Sequence, residues 1–196
     1  MPGSGLNGGF MAELMSGMLT HERCGRHLYR SCETRSNNPI LQAKYREFGE
    51  ETERHVEILE RLITAAGGDP GYCGPMARSV EGSDSKLLES TFMLTGSSDP
   101  MNDEMAMLDA VFLAESMDHA NWTGFAALAD KLPEGDLRTA CLAAVEEVGP
   151  QEEDHLEWAR STKLRLSSLQ ASSTTMATIG VKAEEVVARV RNWLAD

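Results

Sequence analysis

The chain has 196 residues, 41% hydrophobic and 25% charged, which is enough to form one globular domain with a full core. Its formal net charge of −13 argues against a nucleic-acid partner and against an anionic membrane surface, because both attract Lys and Arg. Only 6% of the residues are aromatic, and residues that favour helices predominate. We therefore expect an all-α protein.

The first half of the chain predicts two long helices, because apolar residues recur there with the period of a helix. The first helix is predicted over 11–35, after a flexible, glycine-rich N-terminus at 1–9. The second follows the break at Asn37-Asn38-Pro39 and ends near Ala66. Since the turn between them is short, the two helices should be antiparallel.

The second half of the chain predicts a long connection and two further long helices. Residues 67–85 are rich in Gly and Pro and are predicted to form a loop, followed by a short helix over 86–94. The third long helix is predicted over 102–131 and the fourth from about Pro133 to Leu169. A linker over 170–178 then leads to an amphipathic C-terminal helix within 179–196, with Trp193 as its anchor. That helix has three candidate surfaces: its own domain, a neighbouring subunit or a larger assembly.

The cellular location is predicted from what the sequence lacks. Its four cysteines have no zinc-binding or redox spacing, and the N-terminus has no signal-peptide pattern. No apolar run approaches the roughly 20 residues of a membrane span. We expect a cytoplasmic protein with reduced thiols that does not enter a membrane.

Two stretches of eleven residues, 100 residues apart at 47–57 and 147–157, are similar and share five identical positions. The second copy contains Glu152-x-x-His155, and this spacing places both side chains on one face of a helix, as in metal sites of helix bundles. The shared glutamates are expected at the surface, because Glu is rarely buried. The identical pairs are Glu47/Glu147, Gly49/Gly149, Glu53/Glu153, His55/His155 and Glu57/Glu157.

Six polar residues occupy positions of the predicted helices where the apolar period calls for a buried side chain. Without a partner such groups would strongly destabilise the fold, so a shared metal ion in the core would compensate them. Their distances from the predicted turns place most of them at one level of the domain. The six residues are Glu22, His55, Glu115, His119, Glu152 and His155.

The apolar period of the predicted helices also suggests where three histidines lie. His119 has a second interpretation as a hydrogen-bonded core residue, since it stands beside Asn121 and Trp122. His21 and His27 lie off the inward face of the first helix and are predicted to be exposed.

The pattern resembles the ferritin-like superfamily of di-metal carboxylate proteins. In that superfamily the first and third helices each supply a Glu, and the second and fourth each supply Glu-x-x-His. Glu22 and Glu115 match the single glutamates, and Glu152 with His155 matches the fourth-helix pair. The resemblance covers about residues 10–165 and implies an antiparallel four-helix bundle at 10–169 with a long middle connection.

The second helix departs from the family pattern, because it offers Thr52-x-x-His55 in place of Glu-x-x-His. Glu51 is the candidate substitute for the missing carboxylate, and His119 is an extra candidate ligand. A weaker or single-metal site is equally compatible with these differences, so the number of metal ions stays open.

The ligand types predict the metal and the chemistry. Carboxylates with imidazoles suit iron, manganese or zinc, and iron, as two ions, is the first choice. The resemblance implies binding of Fe(II) and reaction with O₂ or peroxide, a ferroxidase-type or oxidative-stress role. Glu53, Asp118 and Glu153 are expected either around the ligands or facing water.

Two alternatives to this function remain. One is a di-metal oxygenase with an organic substrate, and the other is a bundle whose metal site has decayed and which serves a structural or interaction role. The missing carboxylate at Thr52 favours the second. In either case a homo-oligomer is expected, and the C-terminal helix is a candidate docking element. The absence of a Cys-x-x-Cys pair argues against a fused rubredoxin-like module.

Overall fold

A computed structural model describes residues 7–96 and 99–172 of the chain. This part contains five helices and no strand, which confirms the all-α prediction for the described residues. The N-terminal segment 1–6 and the predicted C-terminal helix lie outside them. The helices are α1 (Gly8–Arg35), α2 (Pro39–Ala65), α3 (Pro75–Ser90), α4 (Pro100–Ala129) and α5 (Asp136–Ser172).

Side chains just before α1, α2 and α4 fix where these helices begin. Asn7, Asn38 and Asp99 each accept a hydrogen bond from a backbone N–H in the first turn that follows. Pro39 and Pro100 then occupy the first helical position, where the missing N–H costs nothing. The first and third long helices, predicted to begin at 11 and 102, begin at Gly8 and Pro100, and the second begins at Pro39, the last residue of the predicted break.

The middle connection is more helical than predicted. α3 begins at Pro75, inside the predicted loop, and the predicted helix over 86–94 ends at Ser90. The sequence interpretation took Gly74 and Pro75 as loop residues. Proline is equally at home in the first turn of a helix, and here it marks the start of α3.

Contacts between helices show their directions. In each contacting pair of long helices, residues later in one helix meet residues earlier in the other, so α1 runs opposite to α2 and to α4, and α4 opposite to α5. Between α1 and α2 the pairs are Arg23–Glu60 and Glu33–Arg46. Between α1 and α4 they are Glu22–Trp122 and Tyr29–Glu115. Between α4 and α5 they are Asp109–Lys163 and His119–Glu153.

Since α2 and α4 both run opposite to α1, the chain between them must travel back along the domain. α3 makes part of that return and packs against α1 and α4. α2 also contacts α5, so each of the four long helices touches two others. α3 covers a face of α1 that would otherwise meet solvent.

The core consists of two apolar clusters with a buried polar layer between them. Met18, Leu59 and Phe125 belong to one cluster, and Tyr45 and Leu108 belong to the other. Along α1 the first cluster ends at Leu19 and the second begins at Leu28. The candidate ligands occupy the layer between them.

Two expectations about location can be compared with the structure. None of the described helices combines the length and the apolar character that crossing a membrane requires. The four cysteines, which all lie in the described part of the chain, are free.

Glu104 on α4 holds the turn between α1 and α2. The residue is 5% exposed, and its carboxylate accepts hydrogen bonds from the Ser36 hydroxyl at 2.9 Å and from the Asn37 backbone N–H at 2.7 Å. We predict that Glu104→Ala lowers the free energy of unfolding by about 2 kcal/mol, because both donors lose their acceptor. Urea denaturation measures this change.

The control for this prediction is Glu57→Ala, a change at an exposed glutamate of α2. It should alter the free energy of unfolding by no more than about 0.5 kcal/mol. Equal effects of the two substitutions would show that Glu104 does not hold the turn.

Candidate metal centre

Five of the predicted ligands form two groups in the buried polar layer. In the first, ligand atoms of Glu22 from α1, His55 from α2 and Glu152 from α5 lie within 4.8 Å of one another. Glu115 from α4 joins Glu152 and His155 in the second group with the same spacing. All five residues are buried. Because Glu152 belongs to both groups, the arrangement suits two cations bridged by one carboxylate.

The two single glutamates each use one oxygen for a hydrogen bond and leave the other free. Glu22 Oε1 accepts a hydrogen bond of 2.7 Å from the Trp122 indole N–H, and Glu115 Oε1 accepts one of 2.7 Å from the Tyr29 hydroxyl. The Oε2 atoms of both are buried without a hydrogen-bond partner. The outer hydrogen bonds therefore orient each carboxylate while its second oxygen stays available as a ligand.

The two histidines are arranged in the same way. Nε2 of His55 lies 2.7 Å from Gln151 Oε1, and Nε2 of His155 lies 2.7 Å from Glu51 Oε2. When the ring is neutral, these oxygen acceptors place its proton on Nε2, which leaves Nδ1 as the nitrogen that could bind a metal. Both Nδ1 atoms are buried and make no hydrogen bond.

The inward nitrogens lie beside the carboxylates of their own groups. His55 Nδ1 is 2.9 Å from Glu152 Oε1 and 3.5 Å from Glu22 Oε2. His155 Nδ1 is 3.4 Å from Glu115 Oε2 and 3.8 Å from Glu152 Oε1. Each histidine thus faces one single glutamate and the shared Glu152.

The repeated stretch explains why the two groups resemble each other. Glu51 and Gln151 occupy equivalent positions of the repeat, and each contacts the histidine of the other copy. Glu152 has Thr52 as its equivalent, so the repeat is broken at the one position where a second bridging carboxylate would stand. Thr52 is buried, and its hydroxyl donates a hydrogen bond to the Phe48 carbonyl at 2.8 Å.

Two predicted ligands lie outside both groups. Glu51 contacts the outer nitrogen of His155 and not its Nδ1, and its side chain is 22% exposed. His119 pairs with Glu153 at 2.8 Å and is 35% exposed. The structure therefore places Glu51 behind the His155 ring, and His119 lies partly exposed and paired with Glu153.

Gln151 is a residue that the sequence interpretation did not place in the site, and Asp118 is one for which it left open a place around the ligands or facing water. Asp118 is only 6% exposed, and its Oδ1 has no hydrogen-bond partner. Burial, together with the charges of Glu22, Glu152 and Glu115, raises the pKa of Asp118 well above its ordinary value. For Asp118, the sequence signal was its position one turn after Glu115. For Gln151, the signal was its alignment with Glu51 in the repeat.

The prediction that His21 is exposed is wrong. His21 is 2% exposed, with Nδ1 2.7 Å from Asp84 Oδ2 and Nε2 3.0 Å from the Ala114 carbonyl. Burial alone would lower the pKa of His21, but Asp84 raises it to about 9. The cause of the error is α3, which covers this face of α1 and supplies Asp84. His27 is exposed, as predicted.

Protons take the place of cations between these carboxylates when no metal is present. Burial opposes the charge on His55 and His155, yet Glu152 and Glu22 raise the pKa of His55 to about 10, and Glu115 raises that of His155 to about 9. Burial and the charge of Glu115 raise the pKa of Glu152 to about 7. Metal ions would therefore compete with protons for this site.

Comparison of the chain with protein-family models, with curated proteins and with solved structures gave no match. What the site does is therefore inferred from the positions, burial and charges of its own residues. Glu22, His55, Glu115, Glu152 and His155 carry that inference.

We predict that the metal-free protein becomes less stable as the pH rises from about 6.5 to about 9. The pKa values of His21, His55 and His155 in the folded protein exceed the unfolded value of about 6.5. The stability that these protons provide is complete below that unfolded value and is lost as the pH approaches the folded values. Urea denaturation at several pH values measures the free energy of unfolding.

The matched variants for this prediction change one histidine each. His21→Asn should make the decline with pH less steep, whereas His27→Asn, at an exposed position, should leave the slope unchanged. Stability that stays constant or increases across this pH range would contradict the assigned protonation.

Proposed function

We propose that this chain is a ferritin-like di-metal protein that binds two iron ions in the core of an antiparallel four-helix bundle and reacts with O₂ or peroxide. The observation that carries the proposal is that five buried residues form two groups sharing Glu152, and that each has one buried side-chain atom without a hydrogen-bond partner. Leaving such atoms unsatisfied is costly, and cations would satisfy them together. The atoms are Oε2 of Glu22, Glu115 and Glu152, and Nδ1 of His55 and His155.

The residues divide into two metal positions. Glu22 and His55 would hold one ion, Glu115 and His155 the other, and Glu152 would bridge them. Iron there would supply the electrons for reduction of O₂ or peroxide. Carboxylates with imidazoles equally accept manganese or zinc, so the ligand types alone do not select iron.

The two positions differ in the group behind the histidine. His155 has the carboxylate of Glu51 at its Nε2, whereas His55 has the neutral amide of Gln151. A carboxylate makes the imidazole a stronger donor to metal than an amide does. The position formed by Glu115 and His155 should therefore bind its ion more tightly.

Thr52 supports the competing proposal of a decayed site with a structural or interaction role. A second bridging carboxylate is absent there, yet the orienting hydrogen bonds from Tyr29 and Trp122 are in place. A site that had lost its metal would gain stability by replacing its buried charges with apolar residues. The persistence of three buried glutamates favours metal binding.

The proposal is tested by anaerobic titration of metal-free protein with Fe(II), followed by admission of air. Two irons bound per chain with rapid O₂ uptake would support a working di-iron centre. Absence of saturable binding would overturn the proposal and favour the decayed site.

We predict that Glu152→Ala abolishes most metal binding at both positions, because Glu152 is the shared ligand. His155→Ala should remove about one of the two ions, since Glu22, His55 and Glu152 remain. Metal content per chain, measured after equilibration and desalting, checks both variants. Glu57→Ala, at an exposed residue, is the control and should bind as the unchanged protein does. Equal metal content in all three variants would refute the site.

We also predict that Thr52→Glu increases metal affinity about tenfold while it destabilises the metal-free protein. The new carboxylate would complete Glu-x-x-His on α2, but without metal it adds another buried charge. Position 52 faces Gly25 of α1, where a Cβ would lie 3.6 Å from the Thr52 methyl. Metal titration and thermal denaturation measure the two effects.

Thr162→Glu is the matched control, because Thr162 is equally buried but lies two turns beyond His155 on α5. It should destabilise the protein without any gain in affinity. A similar change of affinity in both variants would show that position 52 does not face the metal positions.

A further inference from the structure

Asp118 is a buried carboxylate that neither metal position uses. It lies one turn after Glu115 on α4, is 6% exposed, and its Oδ1 has no hydrogen-bond partner. Neither of the two ligand groups includes it. A buried carboxylate without a partner is costly, so a purely structural role does not explain it.

The turn of α4 that carries Asp118 is connected to α3 through His21. Ala114, four residues before Asp118 and hence on the same helix face, accepts a hydrogen bond from His21 Nε2 at 3.0 Å. The other ring nitrogen lies 2.7 Å from Asp84 Oδ2 on α3. Asp84 is 9% exposed, and Glu81, one turn earlier on α3, is exposed.

Four neighbouring carboxylates act electrostatically on Asp118. Burial raises the pKa of Asp118, and so do the charges of Glu22, Glu152, Glu115 and Asp84. Three of these four carboxylates belong to the metal positions, and Asp84 lies outside them on α3. Asp118 therefore lies within electrostatic reach of both the site and the outer carboxylate.

We propose that divalent cations reach the buried site along the junction of α1, α3 and α4, where Asp84 receives them and Asp118 passes them to Glu22 and Glu115. This inference rests on the proposed metal-binding function. Glu81 extends the acidic path to the surface of α3. His21 holds Asp84 in position and ties α3 to α4 at this junction.

This role separates Asp118 from a permanent ligand. A permanent ligand determines how many ions bind and how they are coordinated, whereas a transfer residue determines how fast they arrive. Carboxylates that focus the field along a narrow path raise association rates by about ten- to a thousandfold. The rate of loading is therefore the quantity that distinguishes the two roles.

The experiment follows loading of the metal-free protein with Co(II) by stopped-flow absorbance, without O₂. Asp118→Asn should slow loading at least about tenfold but leave the number of bound ions and the final spectrum unchanged. Asp84→Asn should also slow loading. Asp154→Asn, which removes the same charge from an exposed position of α5, is the control and should load at the unchanged rate.

The outcomes separate the path from the site. If the unchanged protein binds Co(II) but Asp118→Asn loads at the same rate, the path is wrong while the metal site stands. Fewer bound ions or a different final spectrum in Asp118→Asn would make Asp118 a permanent ligand and also overturn the path. If the unchanged protein binds no Co(II), the proposed function fails and the path fails with it. Asp84→Asn, on a different helix, decides the question if Asp118→Asn does not fold.

Discussion

The structure depends on compensating negative charge inside the core. Glu22, Glu115, Glu152 and Asp118 lie in one buried layer between two apolar clusters. Four carboxylates so placed repel one another and lose hydration, so the fold tolerates them only with cations or protons between them. The hydrogen bonds from Trp122 and Tyr29 and the positions of the histidines all follow from that requirement.

The same requirement links the stability of the folded protein to the protons or cations that the buried layer holds. Without metal, the raised pKa values of His55, His155 and Glu152 keep protons in the layer and reduce its net charge. If cations bind as proposed, they would displace those protons from the same side chains. Such binding would add to the stability of the folded state.

The sequence predicted the long helices and the buried positions of five polar residues well, because both rest on strong local signals. Apolar periodicity and caps defined the helices, and Glu22, His55, Glu115, Glu152 and His155 interrupted the apolar positions. What it missed depends on tertiary contacts. No local sequence pattern shows that α3 covers His21 or that Asp118 is buried. Pro75 was read as a loop residue because proline is also common in loops. Glu51 had the right spacing, but only the packing of α5 showed that it meets the back of His155.

The hydrogen bond between Trp122 and Glu22 has an optical consequence. The indole N–H donates directly to the carboxylate of Glu22, and the ring lies 6.2 Å from His55. Indole emission responds to nearby charge and is quenched by paramagnetic ions at such separations. The protein therefore carries its own fluorophore at that position, while Trp158 packs against Phe48 on the side of His155. Under the proposed function, each of the two metal positions would therefore have one tryptophan near it.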